Sequence, residues 1–286
     1  MAEAAEDASD FVAPATTDAQ KAPNEKGAPV KKRNAFLELM APKPKASKSD
    51  APVSHSSKPP RDQSSNWSGR RALLEYIQRP DHFPQQVLKV TPNTVLIQDA
   101  FPKATIHLLL LPRDPAHYDL NPRDAFDDAE FLAMVRDEAA SAVKLAAQEL
   151  ARRLSCFSAS SEARNKAIDA GVPTEELPVG RDYISDIRVG VHAHPSMHHL
   201  HVHIFSRDMH SDCLKHRKHY NSFNTPFLIP LDDFPLAPND ERRSTPFQNA
   251  NLKRSFECWR CGKDFGNKFA ELKKHLVIEF ELWKKE

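Results

Sequence analysis

Three histidines alternate with aliphatic residues in the run His199-Leu200-His201-Val202-His203-Ile204-Phe205. Polar and apolar residues alternating at period two mark a half-buried β-strand. Residues i, i+2 and i+4 of a strand point to one face. The pattern therefore predicts a strand over 200–205 that projects all three imidazoles together, with Leu200, Val202 and Ile204 packed into a core behind them. A row of histidines on a rigid strand has two chemical uses: it can hold a metal ion, or it can present a nucleophile with its helpers. A purely structural role is expensive, because each of three imidazoles on a buried face would need a polar partner.

The chain has 286 residues, 40% of them hydrophobic and 28% charged, with a net charge of +1. That fits a folded core with polar extensions, in one large domain or two small ones. No apolar run is long enough to span a membrane. The acidic start Met1-Ala2-Glu3-Ala4-Ala5-Glu6-Asp7 lacks the apolar stretch of a secretory signal. Cys258 and Cys261 form a Cys-x-x-Cys pair, while Cys156 and Cys213 stand alone. Such usage is no disulfide framework and suits a reducing compartment.

Residues 1–65 are rich in Ala, Pro, Ser, Lys and Asp and hold few large apolar side chains. They cannot bury enough surface to offset their ordering entropy, so they read as a disordered tail. Within it, Phe36, Leu37, Leu39 and Met40 would form one apolar stripe on a short helix over 34–42, a candidate docking motif for a protein partner. Lys31-Lys32-Arg33 just before it is a short basic run of the nuclear-import kind. Folded sequence starts near Trp67. A helix over 70–78 ends at Pro80. Strands follow over 87–90, 94–98 and 103–111, with Asp99–Lys103 as the turn between the last two. A long helix over 124–154 carries Phe131, Val135, Ala139, Ala142, Ala146 and Leu150 on one stripe. Residues 155–180 read as a surface insert, and strands over 183–191 and 200–205 complete the sheet. The expected fold is α+β, an antiparallel sheet with helices on one side. The main domain would cover 66–225. Pro-rich residues 226–246 would link it to a small module that completes 226–286.

That module carries Cys258-x2-Cys261-x13-His275-x3-Glu279. The spacing is that of a ββα-like zinc finger with Glu in place of the second His. Thiolate, imidazole and carboxylate are all tetrahedral Zn2+ ligands. His275 and Glu279 stand at i and i+4 of one helix and share a face. The Glu leaves the fourth ligand open between Glu279, His219 and water. A module this small needs its metal to fold. Lys253, Arg254, Lys268, Lys273 and Lys274 could grip nucleic-acid phosphates.

The triad pattern resembles the signature of the HIT (histidine triad) nucleotide-binding family. Its flanks, His192-Ala193-His194-Pro195-Ser196-Met197 before it and Ser211-Asp212-Cys213-Leu214-Lys215-His216-Arg217-Lys218-His219-Tyr220-Asn221-Ser222-Phe223 after it, together with the Cys/His module, are similar to the aprataxin family. The likeness covers roughly 66–283, apart from 155–180. It implies a HIT fold and an enzyme that removes AMP from adenylated 5′ ends of DNA left by abortive ligation, 5′ ribonucleotide ends included, acting in the nucleus. It implies no metal at the triad.

The resemblance also implies roles. His201, the middle histidine, would be the nucleophile that forms a covalent AMP-histidine, its other ring nitrogen held by a backbone carbonyl. His203 and His199 would donate to phosphate oxygens, and His192 would be the general acid for the leaving phosphate. Ser196 would hydrogen-bond the phosphate beside Met197. Asp99 would accept from the ribose hydroxyls, with Phe101 at the nucleotide. Lys103 and Lys218 would grip the DNA phosphate in a basic cluster with Lys215 and Arg217. Trp67 would wedge against the terminal base pair. His194 and His198 take no family role and read as surface residues. Animal members carry an N-terminal phosphopeptide-binding domain, for which residues 1–65 are unsuited. The chain is expected to act as a monomer. Two other functions fit less of the sequence. A general HIT hydrolase of small nucleotides needs neither finger nor basic cluster, and a non-catalytic DNA-end binder has no need of His201.

Overall fold

The long helix and the sheet it covers define the architecture. The computed structural model describes residues 70–286, all within one compact unit. The tail with its 34–42 motif, and Trp67, lie outside the described residues. The elements in order are α1 (Leu73–Gln78), β1 (Val87–Val90), β2 (Thr94–Gln98), β3 (His107–Pro112), α2 (Pro122–Ala125), α3 (Ala129–Leu154), α4 (Ala159–Asp169), β4 (Ile187–His192), β5 (Val202–Ser206), α5 (Arg217–Asn224), β6 (Leu228–Pro230), α6 (Thr245–Asn251) and α7 (Phe269–Trp283). The strands pair antiparallel in the order β1-β2-β3-β5-β4-β6.

Helix α3 starts where Asp128 accepts from the Glu130 and Phe131 amides at 3.0 Å each, an N-cap that satisfies two orphan donors. This cap separates α2 from α3, where the apolar stripe alone suggests one continuous helix over 124–154. Val135, Ala139, Ala142, Ala146 and Leu150 are buried against Leu108, Leu110, Val202 and Ile204 of the sheet. Alanine at this stripe lets the helix axis approach closely, and the aliphatic faces of β3 and β5 fill the space.

Further features differ from the sequence expectation: β3 begins at His107 rather than at 103, and β4 at Ile187 rather than at 183. The last strand of the histidine run begins at Val202 rather than Leu200. The amide of Leu200 donates instead to the Tyr118 carbonyl at 2.7 Å, outside the ladder. The sheet also gains β6 from the stretch expected to be linker, paired with β4 through Val191 and Ile229. Gly190 allows this pairing, since a Cβ there would stand 2.6 Å from the Ile229 carbonyl oxygen. Finally, residues 155–180 contain α4, tied to the end of α7. The Ser158 and Ser160 hydroxyls both donate to the Glu286 carbonyl at 2.8 Å.

The C-terminal module is not a separate bead. Trp283 is buried in the main core with its Nε1 donating to Asp186 Oδ1 at 3.1 Å. Phe256, Leu272 and Leu276 share a second core with Phe205, Tyr220 and Phe223. The Tyr220 hydroxyl donates to the Glu257 carbonyl at 2.8 Å and accepts from the Trp259 amide at 3.0 Å. No helix among the described residues is long and apolar enough to cross a membrane.

Candidate active site

The cavity on the sheet face opposite α3 is about 730 Å³. One end is apolar, with Leu73, Tyr76, Ile97 and Leu109; the other presents His192, His201, His203 and Lys218. Only His203 lies on β5 itself. His201 stands in the extended segment leading into it, and its ring centroid is 4.9 Å from that of His203. His192, the last residue of β4, brings its ring to 4.4 Å from His203.

Hydrogen bonds fix the tautomers of these rings. His201 Nδ1 lies 2.8 Å from the His199 carbonyl and must donate to it, so Nε2 is left with its lone pair free. Nε2 makes no hydrogen bond to any described residue. His203 is set by His107, a residue the sequence reading did not single out. The Lys103 amide donates to His107 Nδ1 at 3.0 Å, so the ring proton of His107 sits on Nε2. That Nε2 faces His203 Nδ1 at 3.0 Å and donates to it. His203 therefore carries its proton on Nε2, which is buried without a partner. The segment thus offers an imidazole lone pair on one ring and an unmet N–H donor on the next. The carbonyl that holds His201 comes from two residues earlier in the same segment.

Burial is the main cause holding all these imidazoles neutral. It lowers the pKa of His107 to about 4 and of His192 to about 3, and it lowers His201 and puts His203 well below the ordinary value. A neutral imidazole is the nucleophilic form. Burial also lowers the Lys103 ammonium, against the attraction of Asp99. Lys103 turns its Nζ back to the Phe101 carbonyl.

The remaining expected site residues divide into two groups. Asp99, Phe101, Lys103, Ser196, Met197 and Lys218 line the cavity. Phe101 is 69% exposed at its mouth. Asp99 Oδ1 accepts from the Phe101 amide at 2.8 Å and so shapes that loop. His194, expected at the surface, is half-buried and lines the cavity, with Nε2 buried and unpartnered. His198 is exposed, 3.4 Å from Asp119. His199 departs from the expected row. It precedes the strand, does not line the cavity, and is fully buried with its ring 5.5 Å from that of Tyr118 and its Nε2 3.3 Å from Asp119 Oδ1.

The basic residues divide in the same way. Lys215 and Lys218 are exposed at the start of α5, and Lys253 is exposed on the neighbouring loop. Arg217 is occupied by structure: its guanidinium lies 4.9 Å over the Phe256 ring and donates to Asn267 Oδ1 at 3.0 Å. Lys273 lines a separate cavity of about 270 Å³ beside Met209 and Leu276.

In the module, Cys258 and Cys261 sit on a hairpin turn closed by Gly262 at φ +72°. Donor atoms of Cys258, Cys261, His275 and Glu279 all lie within 4.8 Å of one another. His275 Nε2 is 3.1 Å from Cys261 Sγ and 3.1 Å from Glu279 Oε1. Glu279, not His219, completes this set. Two thiolates, one imidazole and one carboxylate around a single point fit a four-coordinate zinc ion. A second close group, Asp99, His107 and His203, is held by the His107–His203 hydrogen bond described above.

Comparison with known proteins agrees with both halves. Residues 74–219 match the family described as scavenger mRNA decapping enzyme C-term binding. Residues 224–282 match the C2HE / C2H2 / C2HC zinc-binding finger. An aprataxin-like protein of Saccharomyces cerevisiae is 34% identical over 74% of this chain and 96% of its own length. An aprataxin-like protein of Schizosaccharomyces pombe is 32% identical over 76% of this chain and 83% of its own. A crystal structure of the aprataxin orthologue Hnt3 in complex with DNA superposes with a TM-score of 0.60 at 30% identity, covering 75% of this chain and 96% of that one.

Proposed function

The chain belongs to the aprataxin family, and from that premise we propose that it is a DNA-repair hydrolase that releases AMP from adenylated 5′ ends of DNA, ribonucleotide-bearing ends included. The observation that carries this reading is His201, whose Nδ1–H is anchored at 2.8 Å on a backbone carbonyl while Nε2 faces the cavity unprotonated.

In this reading His201 Nε2 attacks the α-phosphorus of the adenylate. A P–N bond forms as the P–O bond to the 5′-phosphate of DNA breaks, and water then cleaves the P–N bond to release AMP. Dividing one displacement into two is the advantage of nucleophilic catalysis. His203 Nε2–H meets a non-bridging oxygen as charge moves onto it, a donor positioned in advance by His107. His192 is the proton donor to the leaving phosphate. Burial lowers its pKa to about 3, so the ring is neutral in the free protein, and it takes up the proton it later gives to the leaving phosphate only once the charge of the bound phosphates raises its proton affinity. Ser196 hydrogen-bonds the phosphate beside Met197. His199 lies outside the cavity and supports the segment rather than touching substrate. Asp99 accepts from the ribose, and Leu73, Tyr76, Ile97 and Phe101 enclose the adenosine.

Lys103 and Lys218 grip the DNA phosphate, with Lys215 and Lys253 extending the basic rim. Trp67 is the proposed wedge against the terminal base pair. Cys258, Cys261, His275 and Glu279 would hold Zn2+, which braces the module. The site of action is the nucleus, and any protein partner would dock through 34–42. That DNA is the partner is supported by the Hnt3–DNA structures, whose proteins share this fold.

The test compares AMP release from a 5′-adenylated nicked duplex with hydrolysis of a small adenosine phosphoramidate. Preference for the duplex by a large factor in kcat/KM is expected. Turnover of the phosphoramidate alone would make the protein a general HIT hydrolase, and binding without either activity would make it an end-binding protein.

A further inference from the structure

Glu279 replaces an imidazole with a group that differs in two ways. A carboxylate carries charge, and it has two oxygens that can both reach a metal. Two thiolates and a carboxylate on a dication leave one net negative charge, where a second imidazole would leave none. Glu279 is also buried, at 5% exposure, where an uncompensated charge is costly.

Arg260 answers both problems. It sits inside the Cys258–Cys261 turn, so the loop that presents the thiolates also presents the guanidinium. Its Nη1 donates to Glu279 Oε2 at 2.7 Å, while Oε1 is the oxygen that faces His275 Nε2 at 3.1 Å. One carboxylate oxygen is thus turned to the imidazole of the donor set and the other is held by the guanidinium. The opposite side of the guanidinium is fixed by Glu286, whose Oε1 accepts from Arg260 Nε at 3.1 Å and from Nη2 at 2.5 Å. The fork is therefore pinned at both edges, a geometry that a lysine ammonium cannot reproduce.

Resting on the zinc reading above, we propose that Arg260 is the positioning partner of the carboxylate ligand: it keeps Glu279 monodentate and cancels the extra negative charge of this donor set. Glu279 and Arg260 then act as one unit. Groups that hydrogen-bond metal ligands in this way commonly control affinity by about 10- to 100-fold.

The experiment measures the Zn2+ affinity of the full chain by competition with a chromophoric chelator, and the visible spectrum of its Co2+-substituted form. Arg260→Gln weakens Zn2+ binding by about 10- to 100-fold and shifts the Co2+ spectrum from the intense bands of four-coordination towards the weaker ones of five. Arg260→Lys recovers part of the affinity through its charge but not the four-coordinate spectrum. With Glu279→His in place, adding Arg260→Gln changes affinity by less than about twofold, because the group it served is gone. Native affinity and spectrum in Arg260→Gln would overturn the proposal. Equal losses with and without Glu279→His would also overturn it, because Arg260 would then be supporting the turn rather than the carboxylate. Zinc binding by the unaltered chain no better than that of Cys258→Ala would sink the zinc reading first and this inference with it.

Discussion

His107 makes the stability of this domain acid-sensitive in a way that can be isolated. Its ring is 4% exposed, accepts from the Lys103 amide and donates to His203. Burial lowers its pKa from 6.5 to about 4. The unfolded chain takes up a proton near pH 6.5, whereas the native chain resists until about pH 4. Between these values the unfolded state holds more protons, so the stability contributed by the neutral ring is fully present above pH 6.5 and is lost as pH falls toward 4. At about 1.4 kcal/mol per pH unit, the whole interval is worth about 3 kcal/mol, of which about 2 kcal/mol is gone by about pH 5. Glu149, which its arginine partners hold at about 2, stays ionised through that upper part of the window, whereas the buried His192, His201 and His203 contribute there in the same direction, so His107 is isolated by its difference from a variant. His107→Gln removes the titrating group. Urea unfolding from about pH 7.5 to pH 5 should show the variant less stable at neutral pH, since two buried hydrogen bonds are disturbed at about 1–3 kcal/mol each. The difference should then narrow by about 2 kcal/mol as pH falls. A gap between the two proteins that stays constant with pH would refute the reasoning.

Other consequences follow from single contacts. Gly190→Ala drives a Cβ to 2.6 Å from the Ile229 carbonyl and should displace β6, lowering stability by about 1–3 kcal/mol; an unchanged thermal midpoint would refute the close approach. Trp283→Ala empties a fully buried site and frees Asp186 Oδ1, at a cost of about 3–5 kcal/mol, and should expose α7 to proteolysis before the sheet unfolds; simultaneous cleavage of both would show that α7 does not depend on this anchor. Lys218→Ala should weaken binding to duplex DNA uniformly across sequences and reduce the slope of log affinity against log salt by about 1, whereas Arg217→Ala should act mainly through stability; a salt slope unchanged by Lys218→Ala would remove it from the phosphate contacts.

The grouping of the candidate site residues was legible in the sequence where it rests on local spacing. His201 and His203, the His192 flank and the Cys258–Glu279 set all come from short patterns that a strand, a turn or a helix converts directly into proximity. What escaped reading depends on pairing across the sheet. His107 looks like the polar end of an apolar run, and only the β3–β5 register, with Leu109 opposite His203, brings its ring onto His203. His199 satisfies the alternation but precedes the strand, because the Leu200 amide is taken by Tyr118. His194 breaks no pattern, yet it faces the cavity once β4 ends at His192. Strand β6 was hidden by its prolines and its length, and its place depends on a glycine in a different strand. Arg217 reads as free charge until Phe256 and Asn267 of the module close over it. Trp67 and the 34–42 motif lie outside the described residues.

The most direct test of the central claim is single-turnover AMP release from a 5′-adenylated nicked duplex, comparing the native chain with His201→Ala and measuring DNA affinity in parallel. The account predicts rapid release by the native chain through a transient AMP–protein adduct, and loss of both release and adduct in the variant while DNA affinity is kept. Release by His201→Ala at the native rate, or an adduct on another residue, would contradict it.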